Sequence, residues 1–255
     1  MRKQPAPEPA KLKQREGRAH TYAREHILGV LDSLRADQGR LPSERKWCEQ
    51  LNLSRSTVRQ ALLALEMEGH IQRRGRSGWY PSPPRLRYDP CHHVSLARNA
   101  ASQGRMASWK IVKMVNQVPP PHVLQALDLK RKQRVPQVQL LIYLDDVPFG
   151  VDTDYIHPAF CSDTAEIDHS RAITDEYARL TGSTIIQKRL RIRWTTFGSE
   201  FAGLLGFNWD SPALSFQRIK VTAGGEPVGF EEDIWHAAAM ELDHETDLIP
   251  ARKVA

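Results

Sequence analysis

The chain has 255 residues, enough for two domains with separate cores, and carries a formal net charge of +6. Residues 1–90 hold 18 Lys and Arg against 10 Asp and Glu, net +8, and the remainder 18 against 20, net −2; that split points to nucleic acid for the first part and a smaller partner for the second. Cys48, Cys91 and Cys161 lack the spacing of a disulfide frame or zinc motif, no apolar run nears the roughly 18 residues of a membrane span, and no signal-peptide core is visible, so a soluble cytoplasmic protein with no cofactor, no metal and no membrane partner is expected.

Residues 1–20, rich in Pro, Lys, Arg and Gln, are expected to form a disordered basic tail. Tyr22 to Ala36 follows, with Tyr22, Ala23, Ile27, Val30, Leu31 and Leu34 at helical spacing. Ser43 is placed to cap a short helix reaching Leu51, and Ser54 to cap a second one. In that second helix Val58, Ala61, Leu62 and Leu65 form one apolar stripe, while Arg55, Ser56, Thr57 and Arg59 load the first turn and a half with hydroxyls and guanidinium groups. Such a helix end suits a DNA major groove, where Arg pairs bidentately with guanine and hydroxyls reach phosphates. Gly69 closes the helix. His70–Arg73 and Trp79–Pro81 then read as two short strands around a turn rich in arginine, a wing that lays charge on the phosphate backbone or in the minor groove.

The pattern LPSER, then LSRSTVRQAL with Leu65 and Gly69 following, then a basic wing resembles the GntR family of bacterial winged helix-turn-helix repressors over about residues 21–81. The resemblance implies DNA contacts from Arg45, Ser54, Arg55, Ser56, Thr57, Arg59, Arg74 and Gly75. Trp47 and Cys48 stand where the family has small aliphatic residues, a change expected to alter packing and not DNA contact.

Residues 82–104, Pro-rich and basic at their start, are expected to be a linker. Beyond them the strand patterns 107–115, 138–144, 184–195, 213–222 and 227–235 alternate with short helices at 122–127, 173–180 and 197–205, an α+β domain over residues 105–243 with a tail at 244–255. This domain contains a repeat. At an offset of 79, Pro148 matches Pro227, Gly150 matches Gly229, Asp152 matches Glu231, Asp154 matches Asp233 and His157 matches His236. Two half-domains related by a pseudo-twofold follow, each with acidic side chains at period two on one strand face.

That layout resembles the UTRA domain, the effector-sensing module of the histidine-utilisation-repressor branch, whose mixed α/β fold is like chorismate lyase. By position the resemblance implies ligand contacts from Lys110, Asp152, Arg218 and Trp235. An arginine pair common in the family is replaced by Leu140 and Ile142, which argues against a sugar phosphate. From charge alone, Lys110, Arg189, Arg191 and Arg218 are candidates to neutralise an acid group, and Asp152, Asp154, Glu231 and Asp233 to hold an amine; the alternative is that the acidic residues face water. His157 and His236 with the carboxylates have the composition of a metal site but no recognised ligand spacing.

The expected protein is a DNA-binding transcriptional regulator, a homodimer on a palindromic operator, modulated by a small anionic or zwitterionic effector such as a phosphonate or amino-acid relative. The alternatives are a metabolite-processing enzyme of chorismate-lyase-like fold fused to a DNA-binding head, or a metal-responsive regulator. The sequence shows no nucleophile elbow, phosphate loop or zincin spacing.

Overall fold

The computed structural model describes residues 9–36, 39–73, 78–91 and 95–245. They divide into two compact units, one of residues up to Pro84 with 206–208, the other of 85–205 and the residues from Trp209 on.

The first unit is helical. Helix α1 spans Pro9–Gly29, α2 Leu31–Ala36, α3 Glu44–Leu51 and α4 Arg55–Met67. The expected disordered tail is therefore corrected for residues 9–20, which are helical. Ala10 to Glu16 are all strong helix formers, and Pro9 occupies a first position where its missing N–H costs nothing. Ser43 and Ser54 cap α3 and α4 through hydrogen bonds accepted from Lys46 and Thr57 N–H. The tight turn between the two helices uses Asn52 at φ 52°, a left-handed conformation that Asn tolerates better than most residues. Ala23, Ile27, Leu31, Trp47, Val58, Ala61, Leu62 and Leu65 are buried in one core, each large aliphatic stabilising the unit by roughly 1.5–3 kcal/mol. Trp47 turns inward and meets the His26 ring edge-on, centroids 6.3 Å apart. After Gly69, at φ 78°, strands β1 (Ile71–Arg73) and β2 (Trp79–Pro81) pair antiparallel. Leu41 N–H bonds to Trp79 O at 2.9 Å and ties the wing to the turn before α3.

The second unit is built on one six-stranded antiparallel sheet. Its strands are β4 (Ala107–Gln117), β5 (Val135–Leu144), β6 (Val147–Ile156), β7 (Ile185–Thr196), β8 (Pro212–Thr222) and β9 (Pro227–His236), in the order β4-β5-β6-β9-β8-β7. Each half is a three-strand meander, and the halves meet at β6 and β9. Thr153 pairs with Glu232, its own equivalent 79 residues on, so the pseudo-twofold passes through this pair. Helices α5 (Leu96–Ser102) and α7 (Ile173–Thr181) contribute Ala100 and Tyr177 to the core on one face of the sheet. On the other face α6 (Pro121–Ala126) covers a small cluster of Val123, Val135, Tyr155 and Phe230.

The expected linker 82–104 is corrected as well. Strand β3 (Leu86–Tyr88) pairs parallel with β10 (Met240–Leu242), and Leu86 and Tyr88 are buried in the sheet domain's core. Leu86-Arg87-Tyr88 does alternate, but three residues whose partner lies at the far end of the domain carry no readable local signal.

Candidate functional site

In the first unit the first turn of α4 presents Arg55, Ser56 and Arg59 to solvent, with Thr57 half-buried. The stripe of Val58, Ala61, Leu62 and Leu65 faces inward, which fixes the rotation of the helix. Ser54 Oγ accepts the Thr57 N–H at 3.2 Å and lies 2.8 Å from both Ser56 Oγ and Thr57 Oγ1, so three hydroxyls are locked together at the helix N-terminus. There the helix dipole and unpaired N–H groups favour an anion such as phosphate. Arg45, exposed on α3, pairs with Glu49 at 3.1 Å, an exchangeable surface contact. Arg45 and Arg55 line an open trough with Arg40 and Arg73. Arg73 ends β1, within the strand expected over 70–73, and lies over the Trp79 ring at 5.8 Å. Arg40 was missed: its guanidinium lies so near Gly78 that a Cβ there would stand 2.7 Å from it. Arg74 and Gly75 lie outside the described residues.

In the second unit the alternation of the strands sorts the candidate residues. Asp152, Arg218, Glu231 and Trp235 come together in one pocket, joined by Asp154 and Asp233. The space is small, about 50 Å³, room for a few waters or a small polar group. The reading that the acidic residues face water is overturned, since Asp154 is 1% and Asp233 2% exposed. Lys110, Arg189 and Arg191 do not join them. All three are exposed on the opposite face of the sheet, Lys110 with its Nζ 5.0 Å from the Tyr143 ring, and Arg189 and Arg191 along a trough beside Lys188 and Gln217. A period of two assigns them there: Leu190 and Ile192, between the arginines, pack toward the core.

Within the pocket Arg218 is ion-paired with Asp233 and lies over the rings of Trp235 (4.6 Å) and Phe216 (4.7 Å). Its Nη2 donates to Tyr88 Oη at 3.2 Å. Lys220, fully buried, places Nζ 3.5 Å from Glu231 Oε2. Trp235 Nε1 donates to Asp152 at 2.6 Å and Tyr177 Oη to Asp154 at 3.3 Å. Burial pushes the Asp152 carboxyl up to about 7 against the opposing pull of the Trp235 hydrogen bond and Arg218. Burial, then the Glu231 and Asp152 carboxylates, hold Asp154 well above the usual range, and burial lowers Lys220. Lys220, Tyr88 and Tyr177 were not singled out from sequence, although Lys220 lies two residues after Arg218 and so on the same face. The two histidines do not complete a metal site with these carboxylates: His157 Nδ1 accepts the Ala159 N–H at 3.2 Å, and His236 is buried against Phe197, its ring pushed down to about 4 by burial.

A capped, cationic recognition-type helix with a wing, in one chain with a sheet domain holding a polar pocket, defines a one-component DNA-binding regulator. The chain belongs to the bacterial regulatory proteins of the gntR family, matched over residues 32–80, with a UTRA domain matched over residues 102–241. It is a transcriptional regulator and not an enzyme; its head binds DNA and its UTRA domain a small-molecule effector. The chain is 26% identical over 212 residues to the HTH-type transcriptional regulator YihL of Escherichia coli (strain K12), spanning 83% of this chain and 90% of that one. It is 25% identical over 221 residues to the histidine utilization repressor of Pseudomonas putida, spanning 84% and 86%. The crystal structure of PhnF from Mycobacterium smegmatis shares the fold, with a TM-score of 0.58 at 22% identity over 88% of this chain and all of that one. No helix among the described residues is long and apolar enough to cross a membrane.

Proposed function

We propose that this regulator is a repressor that binds a palindromic operator as a homodimer and is released by a small metabolite held in the sheet-domain pocket. The observation that carries the DNA half is the N-terminal turn of α4, where Arg55, Ser56 and Arg59 are exposed over a fully buried stripe. In this reading Arg55 and Arg59 contact base edges. Ser54, Ser56 and Thr57 serve phosphates, and Arg45, Arg40, Arg73 and the wing residues Arg74 and Gly75 hold the backbone. One head spans too few base pairs for a unique genomic address, which is the reason for two heads on a symmetric site. Relatives named as repressors, among them the histidine utilization repressor and NagR of Bacillus subtilis, support the direction of control.

The effector half rests on the enclosed set of Asp152, Asp154, Arg218, Glu231, Asp233 and Trp235. Lys110, Arg189 and Arg191, on the opposite face, are left out of it. The effector classes expected from sequence, anionic or zwitterionic, narrow toward an amino-acid-like molecule, because Arg218 already carries Asp233 as its counter-ion.

The test is selection of bound duplexes from a random pool by the full chain. Symmetric half-sites are expected, and Arg55→Ala with Arg59→Ala should lower affinity for the selected site by about tenfold or more each. Enrichment of unsymmetrical single sites would overturn the dimer, and unchanged footprints in both variants would overturn the recognition helix.

A further inference from the structure

The charges in the sheet-domain pocket do not balance. Asp152 is the ladder partner of Asp233, and Asp154 of Glu231. Two carboxylate pairs thus sit directly opposite one another on β6 and β9, an arrangement that destabilises a sheet. All four are buried. The cations facing them are Arg218 and Lys220 of β8, the first paired with Asp233 and the second nearest Glu231. Asp152 and Asp154 receive neutral donors instead, the Trp235 indole and the Tyr177 hydroxyl. Asp154 Oδ2 and Glu231 Oε1 are buried without a hydrogen-bond partner, and so is Arg218 Nε. A buried acceptor left unmade costs about 1–3 kcal/mol, more when charged, so a protein keeps such a pair where a ligand completes it. The remaining wall is mostly apolar or aromatic, with Leu140, Ile142, Trp109 and Tyr88, and adds Ser95 and Thr174.

We propose that the effector enters this pocket through a protonated amine, its ammonium bridging the free oxygens of Asp154 and Glu231 across the β6–β9 pair. The inference rests on the reading of this pocket as the effector site and names the group that it recognises. An ammonium supplies the missing positive charge and up to three donors, and the ring faces around it add cation–π attraction. Arg218 Nε remains as a donor for an acceptor on the same molecule. Without the ligand, the groups that face the cluster are Tyr88 on β3, Tyr177 on α7 and Arg218 and Lys220 on β8. Burial, against the lowering pull of the Trp235 indole, Arg218 and Lys220, pushes Asp152 up to about 7, and burial holds Asp154 well above its usual range, so protons occupy the place of the cation. Entry of the ammonium ionises these carboxyls and releases protons to solvent.

The experiment uses the full chain and two probes that share a phenylethyl group, 2-phenylethylamine and 3-phenylpropanoate, by calorimetry in Tris and in phosphate at pH 7. The amine is expected to bind with a heat that differs between the buffers, as proton release requires, and the carboxylate not to bind. Asp154→Asn and Glu231→Gln should each weaken the amine by at least about tenfold. Asp154→Asn should also raise the melting temperature of the ligand-free protein, which shows that the variant folds. Equal or better binding of the carboxylate would overturn the proposal. So would amine binding unchanged in both variants, or no amine binding at millimolar concentration. Affinity for the selected duplex, measured on the same preparations, separates the two claims: its loss would count against the regulator's DNA assignment, while the amine result stands independently of it.

Discussion

Gly150 and Gly229 occupy equivalent positions in the two halves, and both are glycine for want of room. A Cβ at Gly150 would stand 2.5 Å from Ile234 O and 2.6 Å from the Trp235 ring, and one at Gly229 would stand 2.6 Å from the Tyr177 ring. The first obstacle is backbone of the neighbouring strand, which cannot rotate away. Gly150→Ala should therefore push β6 from β9, displace the indole that holds Asp152, and cost about 1–3 kcal/mol. Thermal unfolding together with amine calorimetry checks this; a variant of parental stability with intact binding would contradict the packing described. The buried acids make a second prediction at the same scale. Asp152 has its folded pKa at about 7, above the value of about 3.9 for an unfolded aspartate, and Asp154 is shifted in the same direction. Each stabilises the fold fully below the unfolded value and loses that contribution as pH rises through the folded one. His236 works oppositely: it is held neutral down to about 4, so its contribution falls away as pH drops below about 6.5. Asp152 should lower the melting temperature of the ligand-free protein as pH rises from about 4 to 7, a fall that His236 offsets below about 6.5, and Asp154→Asn should lessen the loss of stability toward higher pH. Parallel curves for the two proteins would remove Asp154 as its source.

Among the elements, α4 was the most legible in sequence and the effector sheet only partly so. The cap at Ser54, the inward stripe and the exposed cationic turn follow from helical spacing alone, because each is a local property. The period-two acids of β6 and β9 were legible as a repeat, yet not their burial, which depends on α7 and β3 covering that face. The positions of Lys110, Arg189 and Arg191 show the limit most plainly. Charge singled them out, but the face that a strand residue occupies is set by register, and β7 shifts its register between Gln187 and Arg189. Ser54 tests the local claim. Its hydroxyl accepts the Thr57 N–H and bridges Ser56 and Thr57, so Ser54→Ala removes a cap worth about 1 kcal/mol and frees the two hydroxyls proposed to serve phosphates. Stability should fall by about that amount, while duplex affinity falls further than stability explains. Gel shifts at a temperature where the variant stays fully folded measure the second effect. If affinity is unchanged there, the hydroxyl cluster is only a cap.

For the molecule as a whole, the effector acts through linkage. A ligand that lowers affinity for DNA does so only by its differential affinity for the DNA-competent and DNA-incompetent states, and DNA must lower affinity for that ligand by the same factor. The coupling is expected in the range of about 5–150-fold, as for other allosteric regulators. The charge chemistry makes the two sides separable. Duplex binding by the proposed Arg45, Arg55 and Arg59 surface would release counterions and should weaken steeply as salt rises, whereas an ammonium held by buried carboxylates would be screened far less. Titrating a pocket amine into the free protein and into the protein saturated with operator, at two salt concentrations, therefore over-determines the cycle. The ratio of the two amine affinities should equal the ratio of duplex affinities measured with and without the amine, at each salt. Asp154→Asn should bring both ratios toward one while leaving the salt slope of duplex binding intact. Unequal ratios would mean that the amine and the duplex report on different equilibria, and a salt slope altered by Asp154→Asn would mean that the buried acids act on DNA directly.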